Sequence, residues 1–242
     1  MQKTKRNLIT SLFIAGLLLP SALVKAGQYS GINNIQFNNE SYNKPFVGNA
    51  FLIEHKNKLF AVTVKHTLLE AKTDEMTHVD IQPHVKQWLI HPNNKPNEFI
   101  RLGRLINADK REAIDMKILE KDWLIFEVEE NQSSLKVLNL REQPLSEGEK
   151  LTAYGCSYAN KVDCQQDRYV GSFINNETNN LRVSMPNLDL SKLRGLSGSP
   201  VVDKDGLVVG IVSNVLKSRS GKGFDFAPAN LKYLNSVLNE IR

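Results

Sequence analysis

The stretch RGLSGSPVVDKDGLVVGIV, residues 194–212, holds two serines among glycines directly ahead of an apolar run. A serine hydroxyl attacks a carbonyl carbon only when a base takes its proton, so a nucleophilic serine needs a histidine and a carboxylate behind it. Glycines beside such a serine allow backbone N–H groups to point at a developing oxyanion. The stretch therefore predicts acyl-transfer chemistry at Ser197, with Ser199 as a turn residue. The simpler interpretation is a turn without chemistry.

Chain order excludes two common arrangements of a Ser-His-Asp triad. An α/β-hydrolase places its histidine after the serine, whereas all five histidines of this chain precede Ser197. A subtilisin-like order begins with an aspartate, and no aspartate precedes His66. The order His, Asp, Ser remains.

His66 and Asp122 are the predicted partners of Ser197. His66 follows the apolar run LFAVTV and precedes TLLEA, so a strand and a short helix would hold it in place, whereas the other histidines lie in polar or proline-rich loops. Asp122 directly precedes WLIFEV. Asp115, ahead of MKIL, is the rival candidate, and Asp109 is predicted to be a loop residue.

The elements that must position these residues are short apolar runs separated by turns. GNAFLIEH and LFAVTVKH predict a hairpin, and the two valine-rich runs around DKDG predict another turn between strands. Helical spacing stands out at residues 66–72 and 229–242, and residues 27–45 are expected to form an irregular lead-in. Many short strands at this spacing are typical of an all-β antiparallel barrel or sandwich.

Five segments carry a resemblance to a known family: GNAFLIE, FAVTVKHTLL, KDWLIFEV, GLSGSPVVDKDGLVVGIVSN and FAPANLKYL. In this order the chain resembles the trypsin-like (chymotrypsin-fold) serine proteases, of the bacterial glutamyl-endopeptidase and heat-shock-protease type. The resemblance implies one protease domain over residues 46–242. Its expected parts are two packed antiparallel six-stranded β-barrels, at about 46–130 and 131–228, and a C-terminal helix, 229–242.

The resemblance also implies a site. Ser197 would be the nucleophile, His66 the general base and Asp122 its partner, with the N–H groups of Gly195 and Ser197 forming the oxyanion hole. The base of a substrate pocket would lie at Ser191 and its walls at Ser213 and Asn214, while the part played by Asp225 is left open. The substrates would be proteins or peptides, and no cofactor or metal is expected.

Three features depart from the family pattern. Lys65 stands before His66, where a small residue is usual, and its side chain is expected to face solvent. Leu196 replaces the acidic or amide residue before the nucleophile, so activation through a buried new N-terminus is not expected. No cysteine flanks His66. The alternatives are a catalytically inactive protease-fold binding protein and an esterase or structural secreted β domain.

Residues 1–26 have the pattern of a secretory signal peptide, with a basic start, an apolar run and a small-residue cleavage point after Ala26. An uncleaved membrane anchor is the alternative. Removal of this segment lowers the formal net charge from +5 to +1, because it holds four basic and no acidic residues, and this argues against a nucleic-acid partner. The protein is then expected to be secreted or periplasmic, without stable membrane insertion.

The chain has two cysteines, Cys156 and Cys164. In an exported protein an even number of cysteines indicates a disulfide, which here would close a short loop. No second pair of cysteines or histidines stands at the spacing of metal ligands.

Overall fold

The computed structural model describes residues 27–162, 164, 166–185, 189–219, 221 and 223–241. The predicted signal peptide, residues 1–26, lies outside the described residues. Within these ranges no helix has the length and apolar character needed to cross a bilayer.

The N-terminal half forms a closed barrel. Its strands, in chain order with three short accessory strands, are β1 (Gly31–Phe37), β2 (Asn49–His55), β3 (Lys58–Thr63), β4 (His78–Val79), β5 (Val85–His91), β6 (Ile100–Leu105), β7 (Asp109–Ala113), β8 (Leu124–Asn131) and β9 (Val137–Leu138). The barrel order is β1-β5-β6-β8-β3-β2, and pairing of β1 with β2 closes it. Short β9 runs parallel to β2, and β4 pairs with β7 outside the barrel.

The predicted hairpin in this barrel is confirmed. β2 and β3 pair antiparallel from Phe51↔Val62 to His55↔Lys58. Lys56 and Asn57 form the turn with φ angles of 49° and 60°. Two consecutive left-handed residues match the twist of the flanking strands, so the turn fixes the register of the strand that leads towards His66.

The expectation of an irregular lead-in over residues 27–45 is wrong. β1 occupies Gly31–Phe37 and pairs with β5, so the first barrel begins well before residue 46. The asparagines of β1 do not show the polar and apolar alternation expected of a strand. One of them, Asn33, is nevertheless completely buried. The Asn33 amide donates to the carbonyls of Val47 and Asn49, and its oxygen accepts the indole N–H of Trp88. A buried amide with all these partners is compatible with a core strand.

The C-terminal half forms the second closed barrel. Its strands are β10 (Lys150–Gly155), β11 (Asp167–Asn176), β12 (Leu181–Ser184), β13 (Pro200–Val202), β14 (Val208–Lys217) and β15 (Phe224–Asn230). They close in the order β10-β11-β12-β15-β14-β13, with every pairing antiparallel. The predicted fold class, two antiparallel six-stranded barrels and a short C-terminal helix, is therefore confirmed.

Among the described residues, three α-helices accompany the barrels: α1 (Thr67–Ala71), α2 (Leu190–Leu193) and α3 (Leu231–Glu240). Helix α3 connects the barrels, because it buries Leu234 and Leu238 in a cluster with side chains of both barrels. That cluster includes Phe51 and Ile53 of β2, whereas their neighbour Leu52 faces the interior of the first barrel. Alternate residues of one strand thus fill two cores, which joins the barrels.

Candidate active site

His66 lies where the first barrel ends a strand and begins a helix. It follows β3 by three residues and occupies the N-cap position of α1. Its backbone N–H donates to Oδ1 of Asp122 at 2.9 Å, and its Nδ1 lies 2.6 Å from Oδ2 of the same carboxylate. Two contacts to one carboxylate fix both the backbone and the ring, so the imidazole cannot rotate freely.

The opposite ring nitrogen faces the nucleophile predicted from the sequence. Nε2 of His66 lies 2.7 Å from Oγ of Ser197, which comes from the second barrel. An ionised carboxylate only accepts hydrogen bonds, so Nδ1–H donates to Asp122 and Nε2 is left to accept from the serine hydroxyl. The structure therefore brings His66, Asp122 and Ser197 into one hydrogen-bonded chain across the barrel interface.

Asp122 is held from a second side by Ser213. Its carboxylate is fully buried, and the Ser213 hydroxyl donates to Oδ2. The sequence predicts Ser213 only as a wall of the substrate pocket, because a single serine in a strand carries no local signal of this bond. Asp122 thus accepts hydrogen bonds from both barrels.

The competing aspartates have local partners. Asp115 caps the short 3-10 helix Met116–Lys121 by accepting the N–H of Lys117 at 2.7 Å. Asp109 accepts the N–H of Arg111, and this backbone hydrogen bond is the main cause that lowers the pKa of its carboxyl. Neither carboxylate contacts His66.

Residues 194–199, here called the oxyanion loop, carry Ser197 between two left-handed glycines. Gly195 has φ +89° and Gly198 has φ +85°. A Cβ atom at Gly195 would lie 2.5 Å from Cδ1 of Tyr158, and one at Gly198 would lie 1.9 Å from the carbonyl oxygen of Asn49. Glycine is thus required at both positions by the backbone angle and by the close neighbours.

The two N–H groups predicted for the oxyanion hole have no hydrogen-bond acceptor within the described residues. The carbonyl of Arg194 accepts the N–H of Tyr158 at 2.8 Å. Since the C=O and N–H of a trans peptide point in opposite directions, the N–H of Gly195 points away from Tyr158. Both donors, Gly195 and Ser197, therefore remain available to a ligand.

The predicted pocket residues differ in their placement. Ser191 is exposed in α2, and its hydroxyl donates to Asp189. Asn214 is half-buried in β14 and accepts the N–H of Val215 with its own side chain. Asp225 pairs with Arg182 at 2.7 Å, so its negative charge is already matched.

The expectation that Lys65 faces solvent is wrong. Its side chain is fully buried, and Nζ lies 2.6 Å from a carboxylate oxygen of Glu112 on β7. The ammonium also lies 4.9 Å from the centroid of the Tyr233 ring on α3. A buried lysine requires such compensation, because an unpaired charge in the interior is costly.

The predicted disulfide is confirmed, since Cys156 and Cys164 are bonded to each other. The segment between them, here called the disulfide loop, carries Tyr158 against the oxyanion loop. Burial, followed by the nearby charge of Glu70, raises the pKa of Tyr158 to about 12. In the described part of the chain, no cluster of three or more histidine, cysteine or acidic side chains is arranged to hold a metal ion.

Comparison with known proteins agrees with this architecture. The family model described as Trypsin-like peptidase domain matches residues 48–211, which include His66, Asp122 and Ser197. Among curated proteins, no sequence matches this chain. The family match spans well over half of the sequence and begins and ends inside the two barrels described above. The chain belongs to the trypsin-like peptidase family.

Proposed function

We propose that the protein is an exported serine endopeptidase that hydrolyses peptide bonds through His66, Asp122 and Ser197. The observation that carries this proposal is the continuous hydrogen-bonded chain from Asp122 through His66 to Ser197. It stands beside the backbone N–H groups of Gly195 and Ser197, which have no hydrogen-bond acceptor in the part of the chain that the structure describes. A protein of this fold that only binds a partner requires neither a hydrogen-bonded Asp-His-Ser chain nor unpaired N–H groups beside its serine.

The mechanism follows from the geometry. Ser197 Oγ attacks the scissile carbonyl carbon while Nε2 of His66 takes its proton, and the carbonyl oxygen becomes an oxyanion. The N–H groups of Gly195 and Ser197 donate to this oxyanion, and each such donor is worth on the order of 3 kcal/mol. His66 then protonates the leaving amine, and Asp122 stabilises the imidazolium throughout. A water molecule, activated by His66, releases the acyl group in the same way.

Export is part of the same proposal. A disulfide persists in an oxidising compartment, so the Cys156–Cys164 bond supports a secreted or periplasmic location. The pattern of residues 1–26 supports it independently. Fractionation of cells that express the full chain, with mass determination of the product, tests both the location and cleavage after Ala26.

The decisive experiment labels the purified protein with a fluorophosphonate, which reacts only with an activated serine, and compares it with Ser197→Ala. Labelling of the wild type alone, together with hydrolysis of peptides, supports the endopeptidase. A folded wild type that neither labels nor cleaves would establish the inactive binding protein instead. Cleavage of simple esters but of no peptide would favour an esterase. The sites cut in a proteome-derived peptide mixture give the specificity.

A further inference from the structure

Asn49, the first residue of β2, connects three segments that are distant in the sequence. It is almost completely buried. Its Nδ2 donates to the carbonyl of Gly195 at 2.7 Å and to that of Cys156 at 3.0 Å, while its Oδ1 accepts the N–H of Cys156 at 2.9 Å. Its backbone N–H donates to the carbonyl of Ser197 at 2.7 Å. One residue of the first barrel thus holds both the oxyanion loop and the start of the disulfide loop.

The disulfide loop holds the oxyanion loop from the other side. The N–H of Tyr158 donates to the carbonyl of Arg194, and the Tyr158 ring lies against the position where Gly195 would carry a Cβ. At its far end this loop is fixed by Asn93, whose amide donates to the carbonyl of Cys164 at 2.8 Å. The Cys156–Cys164 bond joins the two anchored ends, so Tyr158 has little freedom to move away from Arg194.

These contacts determine the direction of the oxyanion donors. The peptide between Arg194 and Gly195 can turn over only if the Tyr158 bond breaks, and the next peptide only if the Asn49 bond to Gly195 breaks. Gly195 has no side chain to resist such a rotation. The resistance must therefore come from groups outside the oxyanion loop.

We propose that Asn49 and the disulfide loop are the positioning elements that keep the N–H of Gly195 directed into the active site. This inference rests on the proposed function for its catalytic consequence. Neither element contacts the reacting atoms, so each acts through the backbone of the oxyanion loop. Loss of either element should lower the rate of the chemical step while substrate binding is retained, because the oxyanion forms only during that step.

The test compares three variants with the wild type: Asn49→Ala, the double variant Cys156→Ser/Cys164→Ser, and Asn180→Ala as a control. Asn180 also holds a backbone carbonyl with its amide, that of Ala227 at 3.0 Å, and this bond involves neither Asn49 nor the oxyanion loop nor the disulfide loop. Two quantities are measured, the kinetic constants on a peptide substrate and amide hydrogen exchange of a fragment covering residues 193–199.

In Asn49→Ala and in the disulfide-free variant, we expect kcat to fall on the order of 100-fold, with KM changed by less than about threefold. Amide exchange over residues 193–199 should become at least about tenfold faster, and Asn180→Ala should leave that exchange unchanged. If Asn49→Ala fails to fold, the disulfide-free variant, which retains the Asn49 side chain, decides the question.

Unchanged exchange at residues 193–199 in Asn49→Ala and in the disulfide-free variant would overturn the inference, as would an equal loss of kcat in Asn180→Ala at equal stability. The exchange measurement needs no substrate. A wild type without any hydrolysis would therefore contradict the proposed function, while the exchange result would still support or refute the positioning role.

Discussion

The ammonium of Lys65 lies 2.6 Å from the carboxylate of Glu112, in the interior of the protein and one residue before His66. Glu112 is partly accessible, with 22% of its side chain exposed, whereas Lys65 is completely enclosed. Removal of the acid should therefore leave a buried charge without a partner. Removal of the lysine would leave an acid that water can reach.

We expect Glu112→Gln to lower the free energy of unfolding by about 2–3 kcal/mol, a value reduced from that of a fully buried pair because Glu112 is partly solvated. Lys65→Met combined with Glu112→Gln should recover most of this loss, because no charge is then left unpaired. Urea denaturation of the single and double variants, analysed as a cycle, gives the coupling energy.

The exposed pair of Arg104 and Glu127 is the control for this cycle. Its atoms approach to 2.8 Å, but both side chains are largely in solvent. Glu127→Gln should cost less than about 1 kcal/mol. An equally small loss in Glu112→Gln would show that Lys65 does not depend on its partner.

Ser197→Ala should abolish hydrolysis and fluorophosphonate labelling without unfolding the protein, since its hydroxyl contacts only His66 among the described residues. Ser199→Ala is the matched control two residues away. The Ser199 hydroxyl is buried and has no hydrogen-bond partner among the described residues, so its removal should retain activity and leave stability equal or raise it by about 1 kcal/mol. Activity measurements and thermal unfolding of both variants test this pair, and equal turnover by Ser197→Ala and the wild type would refute the nucleophile.

Asp122→Asn should lower kcat by about four orders of magnitude. An amide at this position can donate to the imidazole and so favours the wrong tautomer. Asp115→Asn serves as the control, because Asp115 caps a short helix and does not contact His66. Turnover numbers of the two variants decide between them: near-normal activity in Asp122→Asn together with loss in Asp115→Asn would reverse the assignment.

Local signals predict an all-β antiparallel fold and the three side chains proposed for catalysis, whereas the arrangement in two barrels is what the family resemblance implies. His66 and Asp122 each adjoin an apolar strand, and the order of His, Asp and Ser excludes the competing arrangements. The supporting contacts lack such a signal. Glu112 meets Lys65 across 47 positions of the chain, and Asn49 meets Gly195 across 146, so only the closed barrels bring them together.

Two wrong expectations have the same physical origin. Lysine and asparagine are polar, and polar residues are usually found at the surface. In β1 and at Lys65 they are buried because distant partners satisfy them: Trp88 and the backbone for Asn33, Glu112 for Lys65. The pattern of polar and apolar residues along the chain cannot reveal a hydrogen-bond or ion-pair partner that is distant in the sequence and comes close only in the folded protein.

Alkaline pH should destabilise the protein through Tyr158. Its pKa is raised to about 12 from the ordinary value of 10.0, chiefly by burial. Below the ordinary value both the folded and the unfolded chain hold the proton, so this group makes no difference to stability there. Between the two values the unfolded chain loses the proton and the folded chain keeps it, so stability falls as the pH rises. Unfolding free energies of the wild type and Tyr158→Phe should diverge in that window, whereas parallel curves would contradict the prediction.

The placement of Leu196 predicts that the protein is active without a newly formed N-terminus. This side chain is completely buried in the core of the second barrel, in a cluster that contains Val201, Val212 and Phe226. An ammonium group brought to this position would lose its hydration without gaining a counter-charge, at a cost of several kcal/mol. Leu196 therefore adds apolar packing to the hydrogen bonds by which Asn49 and Tyr158 hold the oxyanion loop.

The N-terminal part of the described chain agrees with this view. Gln28 forms a bridge with Leu135, and Tyr29 stacks on Tyr154 at 4.5 Å between ring centroids. Neither contact involves Leu196. We expect a protein that begins at Gly27 to have the same kcat and KM with and without a short N-terminal extension. Leu196→Ala should instead lower stability by about 3 kcal/mol through the cavity that it leaves. The comparison requires one extended protein with a removable tag, assayed before and after cleavage, and full dependence of activity on a free N-terminus would show that a new chain end does organise the oxyanion loop.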